Sequence, residues 1–279
     1  DQLEAAGAQN MVVNPADVPT NNKERRRKTD HVDCRKLAKR LRSQELTGIY
    51  VPSRERTEDR HLLRTRHSMV RKQTRCKNQI KAILAFYGTN IPDDLGHWSR
   101  SFVAWIEELA MTRTSGNMAL KVHLAELLHL RALLAQLNRE IRNLALTLAY
   151  KKDVALLKTV PGIGILAAMI LLTELHTISR FKNLDDLCGY VGLVPDTDSS
   201  GDQEVVTGIT RRRNPLLRTI LIEAAWVAIR KDPAMMMAFI DYSKRMKKSK
   251  AIVKIARKLL NRIRYVLKND TAYVSAVIQ

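Results

Sequence analysis

The stretch Leu127-Leu-His-Leu-Arg-Ala-Leu-Leu-Ala-Gln-Leu-Asn-Arg-Glu-Ile-Arg-Asn-Leu-Ala-Leu-Thr-Leu148 decides the architecture. Leu127, Leu130, Leu134, Leu137, Ile141, Leu144 and Leu148 alternate steps of three and four, and Leu120 and Leu124 extend the pattern upstream. That spacing lays one apolar stripe along one face of a helix, and at roughly 1.5 Å per residue the seam runs about 40 Å. A face of that length needs a long partner. The helix expected over residues 54–86 can supply it within the chain, and a second copy can supply it between chains. The seam is longer and more regular than a single packed helix requires, which points to a coiled coil joining a homo-oligomer. Intrachain packing is the competing arrangement.

Downstream of Lys151 the composition shifts to an apolar segment, Val160-Pro-Gly-Ile-Gly164 and an apolar helix to Leu175. The spacing Gly162-x-Gly164-x-x-Ala167 imitates a dinucleotide fingerprint, but no strand ending in an acid follows at the required distance. A helix-hairpin-helix fits better, with backbone N–H groups near Gly162 and Gly164 holding a DNA phosphate. The plain alternative is that Pro161 begins a core helix. Two more helices are expected at residues 214–228 and 250–269. In the second, Ile252, Ile255, Leu259, Ile263 and Val266 form one stripe, while Lys254, Arg257, Lys258 and Lys268 lie largely off it.

Upstream, residues 54–86 read as a long basic helix closed by Gly88, residues 89–101 as a connector, and residues 102–111 as a second helix. Nearer the start, residues 2–8 read as a helix end closed by Gly7. Residues 11–14 and 49–51 read as short strands stopped by Pro15 and Pro52. Two such strands cannot make a stable sheet in water, so the chain is expected to begin inside an α/β domain. Between them lies the basic run Lys23-Glu-Arg25-Arg26-Arg27-Lys28, followed by a helix from Thr29-Asp30 to about Leu41. Asp30 and Asp33 share a face of its first turn. They can cap the helix and favour the positive end of its dipole, or hold a divalent cation against phosphate oxygens.

Lys and Arg number 48 against 28 Asp and Glu, a formal charge of +20, which calls for a polyanionic partner, most simply nucleic acid. The clusters Arg25, Arg26, Arg27, Lys28 and Arg211, Arg212, Arg213 are the densest candidates for phosphate contact. Aromatics at 5% argue against reading single strands by base stacking. The longest apolar run, residues 165–172, is far short of the roughly 20 residues that span a bilayer. Three widely spaced cysteines offer neither a disulfide framework nor a zinc site, which fits a reducing cytoplasm.

The loop Asp196-Thr-Asp-Ser-Ser-Gly-Asp202 combines an exposed small nucleophile, Ser200, with a glycine that lets another group approach. A polar surface turn is the neutral reading. Calcium is a further competitor, since the loop copies half of an EF-hand, but Thr207 stands where the bidentate glutamate belongs.

In order, Lys28-Thr-Asp-His-Val-Asp33 with Leu37-Ala38, Val160-Pro-Gly-Ile-Gly164, Arg180-Phe181, Gly192-Leu-Val-Pro195, Ser199-Ser-Gly201, Ile209-Thr210, Asn214 and Leu217-Arg218 resemble the transposases of bacterial insertion sequences that join a RuvC-like four-acid domain to a C-terminal serine domain, the bridge-RNA-guided recombinases. The resemblance implies a mainly α chain in three parts. Residues 1–86 would be a partial α/β, ribonuclease-H-like domain with its following basic helix, residues 87–150 a connector and coiled coil, and residues 151–279 a helical serine domain. It implies that Asp30 and Asp33 are the last two of four acids binding Mg²⁺, the other two lying upstream of residue 1, and that Ser200 is the nucleophile. It also implies DNA and a guide RNA as partners, with Arg218 among the DNA contacts, and a bacterial cytoplasmic, nucleoid-associated location. Arg213 departs from the family, which usually has glycine there.

The aspartates of the serine loop are poor bases for an alcohol, so activation of Ser200 would come from the Mg²⁺ site. Strand exchange through a 5′-phosphoseryl link is the expected chemistry. A non-catalytic nucleic-acid-binding remnant and a metal-dependent junction nuclease are the alternatives.

Overall fold

The computed structural model describes residues 2–20, 29–200, 203–209 and 214–276, with the backbone alone along 195–200 and 203–209. The chain divides into two compact units, Asp1–Arg54 and Glu55–Gln279.

In the first unit, helix α1 (Gln2–Ala5) ends at Gly7, whose φ of 74° suits a residue without Cβ. Asn14 caps a 3₁₀ turn at Pro15–Asp17 by accepting the Ala16 N–H. Helix α2 (Asp30–Arg42) begins at Thr29, whose hydroxyl accepts the Val32 N–H at 3.3 Å. Thr29, and not Asp30, is therefore the N-cap. The two expected strands meet in a single antiparallel bridge, Val13 to Gly48, with the Ile49 N–H donating to the Val12 carbonyl at 2.8 Å. No sheet of an α/β ribonuclease-H-like part is seen among the described residues. Among the described residues the two short strands meet only in this bridge, because two short strands bury too little to propagate a ladder. Helix α2 buries none of its residues, and Leu37 and Leu41 are exposed.

The second unit is helical around a long hairpin. Helix α3 (Arg54–Phe86) is followed by α4 (Arg100–Glu108), capped by the Ser99 hydroxyl, and by α5 (Thr114–Ala145). Cys76 donates its thiol hydrogen to the His123 carbonyl at 3.2 Å, Arg66 Nε donates to Asn138 at 2.7 Å, and the Tyr150 hydroxyl donates to Asp59 at 2.6 Å. As numbers fall along α3 they rise along α5 and just beyond it, so the two helices run antiparallel. At the far end, Ile80 and Leu84 of α3 meet Leu120, Leu124 and Leu127 of α5 under Phe102 and Ile106 of α4. Each such leucine contributes about 1.5–3 kcal/mol on burial. The leucine seam is thus covered within one chain, and a homo-oligomer joined through a coiled coil receives no support from it. Its last member, Leu148, lies beyond the helix and is exposed.

At the near end, α6 (Lys151–Leu157), α7 (Ile165–Leu175), α8 (Leu184–Val191), α9 (Pro215–Lys231), α10 (Pro233–Arg245) and α11 (Lys248–Asn269) surround the main core, which also takes in Leu63 and Ile141. Helix α11 buries all five members of its expected stripe. Helix α10 was not anticipated. Asp232-Pro233 starts it, with the Asp232 carboxylate accepting the Ala234 N–H at 2.9 Å and proline at the first helical position. Asp232 is also buried, taking the Ala276 N–H at 3.1 Å and the Tyr273 hydroxyl. The last described residues are thereby folded onto the α9–α10 junction. No helix among the described residues is long and apolar enough to cross a membrane.

Candidate functional site

Between α8 and α9 the chain makes an antiparallel pair, β1 (Pro195–Ser200) and β2 (Gln203–Ile209), with an irregularity between Asp196 and Thr197. Ser200 is the last residue of β1, opposite Gln203. The segment read as a polar loop is a hairpin. Its second strand, Glu204-Val-Val-Thr207, carries the β-branched residues that signal one.

The hairpin leaves and re-enters the helical core at one place. Gly192 closes α8 in the left-handed region at φ 84°, and its N–H donates to the Cys188 carbonyl at 2.8 Å. On the return, Asn214 caps α9, its Oδ1 accepting the Leu217 N–H at 3.2 Å. The Asn214 N–H donates to the Tyr190 carbonyl at 3.2 Å, tying the two roots together.

Beneath them lies Glu174, fully buried in helix α7, whose other residues are apolar but for Thr173. Arg64 of α3 grips it with two parallel bonds, Nε to Oε1 at 2.6 Å and Nη2 to Oε2 at 2.8 Å. Asn214 Nδ2 donates to Oε2 at 2.8 Å, and the Tyr190 hydroxyl donates to the Glu174 carbonyl at 3.0 Å. The bond to Glu174 raises the pKa of Arg64 against the opposing effect of burial. The sequence reading missed this network, although a lone acid in the run Ile165 to Leu175 is a signal, since buried charge demands a partner.

Cations gather beside it. Arg180 lies 4.4 Å from the Phe181 ring centroid and 4.5 Å from that of Tyr190. Arg56 lies 4.7 Å from that of Tyr150, whose hydroxyl pKa is pushed up to about 12 by burial and by its bond to Asp59. Burial, then the charges of Arg60 and Arg180, bring His176 down to about 4, so it is a neutral imidazole at pH 7.

Asp30 and Asp33 sit one turn apart at the start of α2, in the first unit, while Ser200 belongs to the second. Lys36 Nζ donates to Asp33 Oδ1 at 3.0 Å. Two carboxylates at a helix start, Asp30 exposed and Asp33 half-buried with one oxygen free of Lys36, suit Mg²⁺, which takes one or two protein carboxylates and fills its other positions with water and phosphate oxygens. Among the described residues no three His, Cys, Asp or Glu side chains cluster as a metal site.

The two glycines of the Pro-Gly-Ile-Gly turn differ. Gly162, at φ 83°, faces α9: a Cβ there would lie 2.7 Å from the Ala224 Cα and 2.8 Å from its carbonyl oxygen. A Cβ on Gly164 would meet nothing within 4 Å. The first glycine is accounted for by internal packing, and the second leaves the start of α7 open. Arg218 lies one turn into α9, its N–H bonded to the Asn214 carbonyl at 3.1 Å. The expected phosphate contacts at Arg25, Arg26, Arg27, Lys28, Arg211, Arg212 and Arg213 lie outside the described residues.

Comparison with known proteins matches both ends of the chain to transposases. The family model described as Transposase IS116/IS110/IS902 family covers residues 154–241, and the IS110 DEDD model, described as Transposase, covers residues 1–89. A Sinorhizobium fredii protein named "Putative transposase y4rJ" is 31% identical over 92% of this chain and 71% of its own length. "Putative transposase y4qE" of the same organism is 29% identical over 80% of this chain and 54% of its own length. The transposase for insertion sequence element IS1111A of Coxiella burnetii is 26% identical over 73% of this chain and 55% of its own length. The chain thus spans between about half and seven-tenths of these relatives. With the α2 carboxylates inside one matched region and the Ser200 hairpin inside the other, the chain belongs to the IS110/IS116/IS902 family of transposases.

Proposed function

We propose that the chain is part of a DNA transposase of an insertion sequence that exchanges strands through Ser200, with Asp30 and Asp33 as ligands of Mg²⁺ and a guide RNA selecting the DNA. The observation that carries this reading is the placement of Ser200 at the end of β1, on a hairpin whose roots are fixed to the helical core. In the step proposed, Ser200 Oγ forms a bond to the scissile phosphorus, the bond from phosphorus to the 3′ oxygen breaks, the serine proton is lost and the 3′ oxygen gains one. The product is a 5′-phosphoseryl link and a free 3′-hydroxyl. Mg²⁺, when bound, would polarise the phosphate and favour the alkoxide. Asp30 and Asp33 would hold it, while the open start of α7 at Gly164, together with Arg211, Arg212, Arg213 and Arg218, would hold backbone phosphates.

The partition into a metal-binding part at residues 1–86, a connecting part at 87–150 and a serine part at 151–279 follows the same reading. The charge of +20 supports a nucleic-acid partner whose affinity is electrostatic. Log K should then fall with log salt more steeply than about −3, at about −0.9 per duplex phosphate neutralised.

The deciding experiment uses the full-length protein with Mg²⁺ and labelled DNA. A denaturation-resistant protein–DNA adduct is expected that vanishes in Ser200→Ala and persists in Ser199→Ala. Loss of the adduct only in Ser199→Ala would overturn the assignment. Cleavage by Ser200→Ala without any adduct would assign the chemistry to metal-activated water instead.

A further inference from the structure

Glu174 is fully buried in a helix whose other buried residues are apolar apart from Thr173, and packing alone gives no reason for an acid there. An apolar side chain of similar volume fills such a space at equal or lower free energy. What the carboxylate adds is direction. Its two oxygens take the Arg64 guanidinium in a fixed plane and the Asn214 amide on one side, while its own carbonyl takes the Tyr190 hydroxyl. Asn214 closes the ring through its N–H to the Tyr190 carbonyl. The ring therefore contains both roots of the segment that bears Ser200, and Arg64 bolts it to the long helix α3.

We infer that Arg64, Glu174 and Asn214 are positioning residues, a clamp that sets the direction in which the Ser200 hairpin leaves the core; this rests on the serine reading above. A two-stranded hairpin is marginal on its own, so its pose is set where it joins the core. Displacing a nucleophile by about 1 Å costs on the order of 100-fold in rate.

Asn214 makes the inference testable, because both ends of its amide are used. Oδ1 caps α9 and Nδ2 meets Glu174. A position that only caps a helix accepts Asp as readily as Asn. Here Asn214→Asp keeps the cap but sets a carboxylate against the Glu174 carboxylate. The pair Glu174→Gln with Asn214→Asp restores a donor facing an acceptor, now pointing the other way, and keeps one anion beside Arg64. Because Oε2 also accepts from Arg64 Nη2, the reversal gives up that second bond and leaves Nε on Oε1, so recovery is partial.

In the full-length protein with Mg²⁺ and labelled DNA, Asn214→Asp is expected to slow adduct formation about 100-fold at saturating DNA with the half-saturating DNA concentration unchanged. The double variant should recover to within about 10-fold of wild type. A wild-type rate in Asn214→Asp, or a double variant as slow as the single, overturns the clamp. Should Asn214→Asp lose its helical circular dichroism, Arg64→Lys, which keeps the charge but gives up the paired bonds, must slow the rate at unchanged DNA affinity; a wild-type rate overturns the clamp.

If wild-type protein forms no adduct, the serine reading has failed and the clamp is read separately on the 279-residue chain. Proteolysis within residues 195–213 must then accelerate in Asn214→Asp and return towards wild type in the double variant. Unchanged cleavage overturns the clamp.

Discussion

Helices α2 and α7 both carry acids, in opposite settings. On α2, Asp30 is exposed and Asp33 half-buried with one oxygen on Lys36, at a first turn that a threonine already caps, and the helix buries none of its residues. On α7, Glu174 has no exposed surface, and each of its carboxylate oxygens accepts at least one bond from a side chain of another helix or cap. An acid whose oxygens are committed to its own protein has no room for a ligand, whereas an acid at an open helix start has. The glycines of the Pro-Gly-Ile-Gly turn repeat the contrast, Gly162 pressed on the α9 backbone and Gly164 open.

The strongest attempt to break this contrast is Glu174→Ala. It removes the partner of Arg64 and Asn214 and leaves a cavity, and unfolding in urea should show a loss of about 3 kcal/mol. This is the low end of the roughly 3–5 kcal/mol that breaking a buried ion pair costs, because the Arg64 side chain is 51% exposed and can turn to water. A loss below about 1 kcal/mol would make Glu174 an ordinary surface acid in effect.

Next, Gly162→Ala should cost about 2–3 kcal/mol, from the clash with Ala224 and from a φ that an L side chain adopts reluctantly. Gly164→Ala should leave stability within about 0.5 kcal/mol of wild type. The same pair sharpens the phosphate reading: if the open turn holds DNA, Gly164→Ala weakens DNA binding in a filter or anisotropy titration while its melting curve stays put.

Tyr273→Phe removes a hydroxyl donor from the buried Asp232 carboxylate. About 1–2 kcal/mol should be lost by denaturant titration. Burial works to raise the Asp232 pKa, and the bonds from Tyr273, Ala276, Ala234 and Met235 outweigh it and hold the carboxyl below its ordinary range. That contribution is present above the ordinary carboxylate range and fades as pH falls through the depressed value. The penalty of Tyr273→Phe should therefore shrink in acid.

A small effect on stability is also expected of Asp30→Asn and Asp33→Asn. The pair of Asp33 with Lys36 is half-buried but joins neighbours one turn apart on a single helix, so no more than about 1 kcal/mol should be lost in thermal melts. Adduct formation by the full-length protein with Mg²⁺ should nonetheless collapse in either variant. Near wild-type adduct formation by both would leave these carboxylates with a purely local role.

Much of the helical layout was legible. Helix α3 spans the expected residues 54–86, and the α11 stripe is the buried face. Both come from a period that neighbouring residues impose on each other. Helix α10 was missed because attention to the apolar stripe passed over Asp232-Pro233 as a start signal. The Ser200 hairpin was missed because Asp-Thr-Asp-Ser-Ser has no alternating apolar face, leaving only the β-branched residues of β2 to announce it. At the candidate site, the order of motifs identified the family, while Arg64, Glu174 and Tyr190 went unnoticed because none of them belongs to a local pattern.

By itself the sequence determined the helical periods, the positive charge and the order of transposase motifs, since each is a property of residues close together along the chain. Tertiary structure decided that the leucine seam closes on α3, that Gly162 serves α9, and that Glu174 is shared by Arg64, 110 positions away, and Asn214, 40 positions away. A buried charge or a bare backbone contact is stable only against the particular surface that desolvates it, and folding selects that surface from the whole chain.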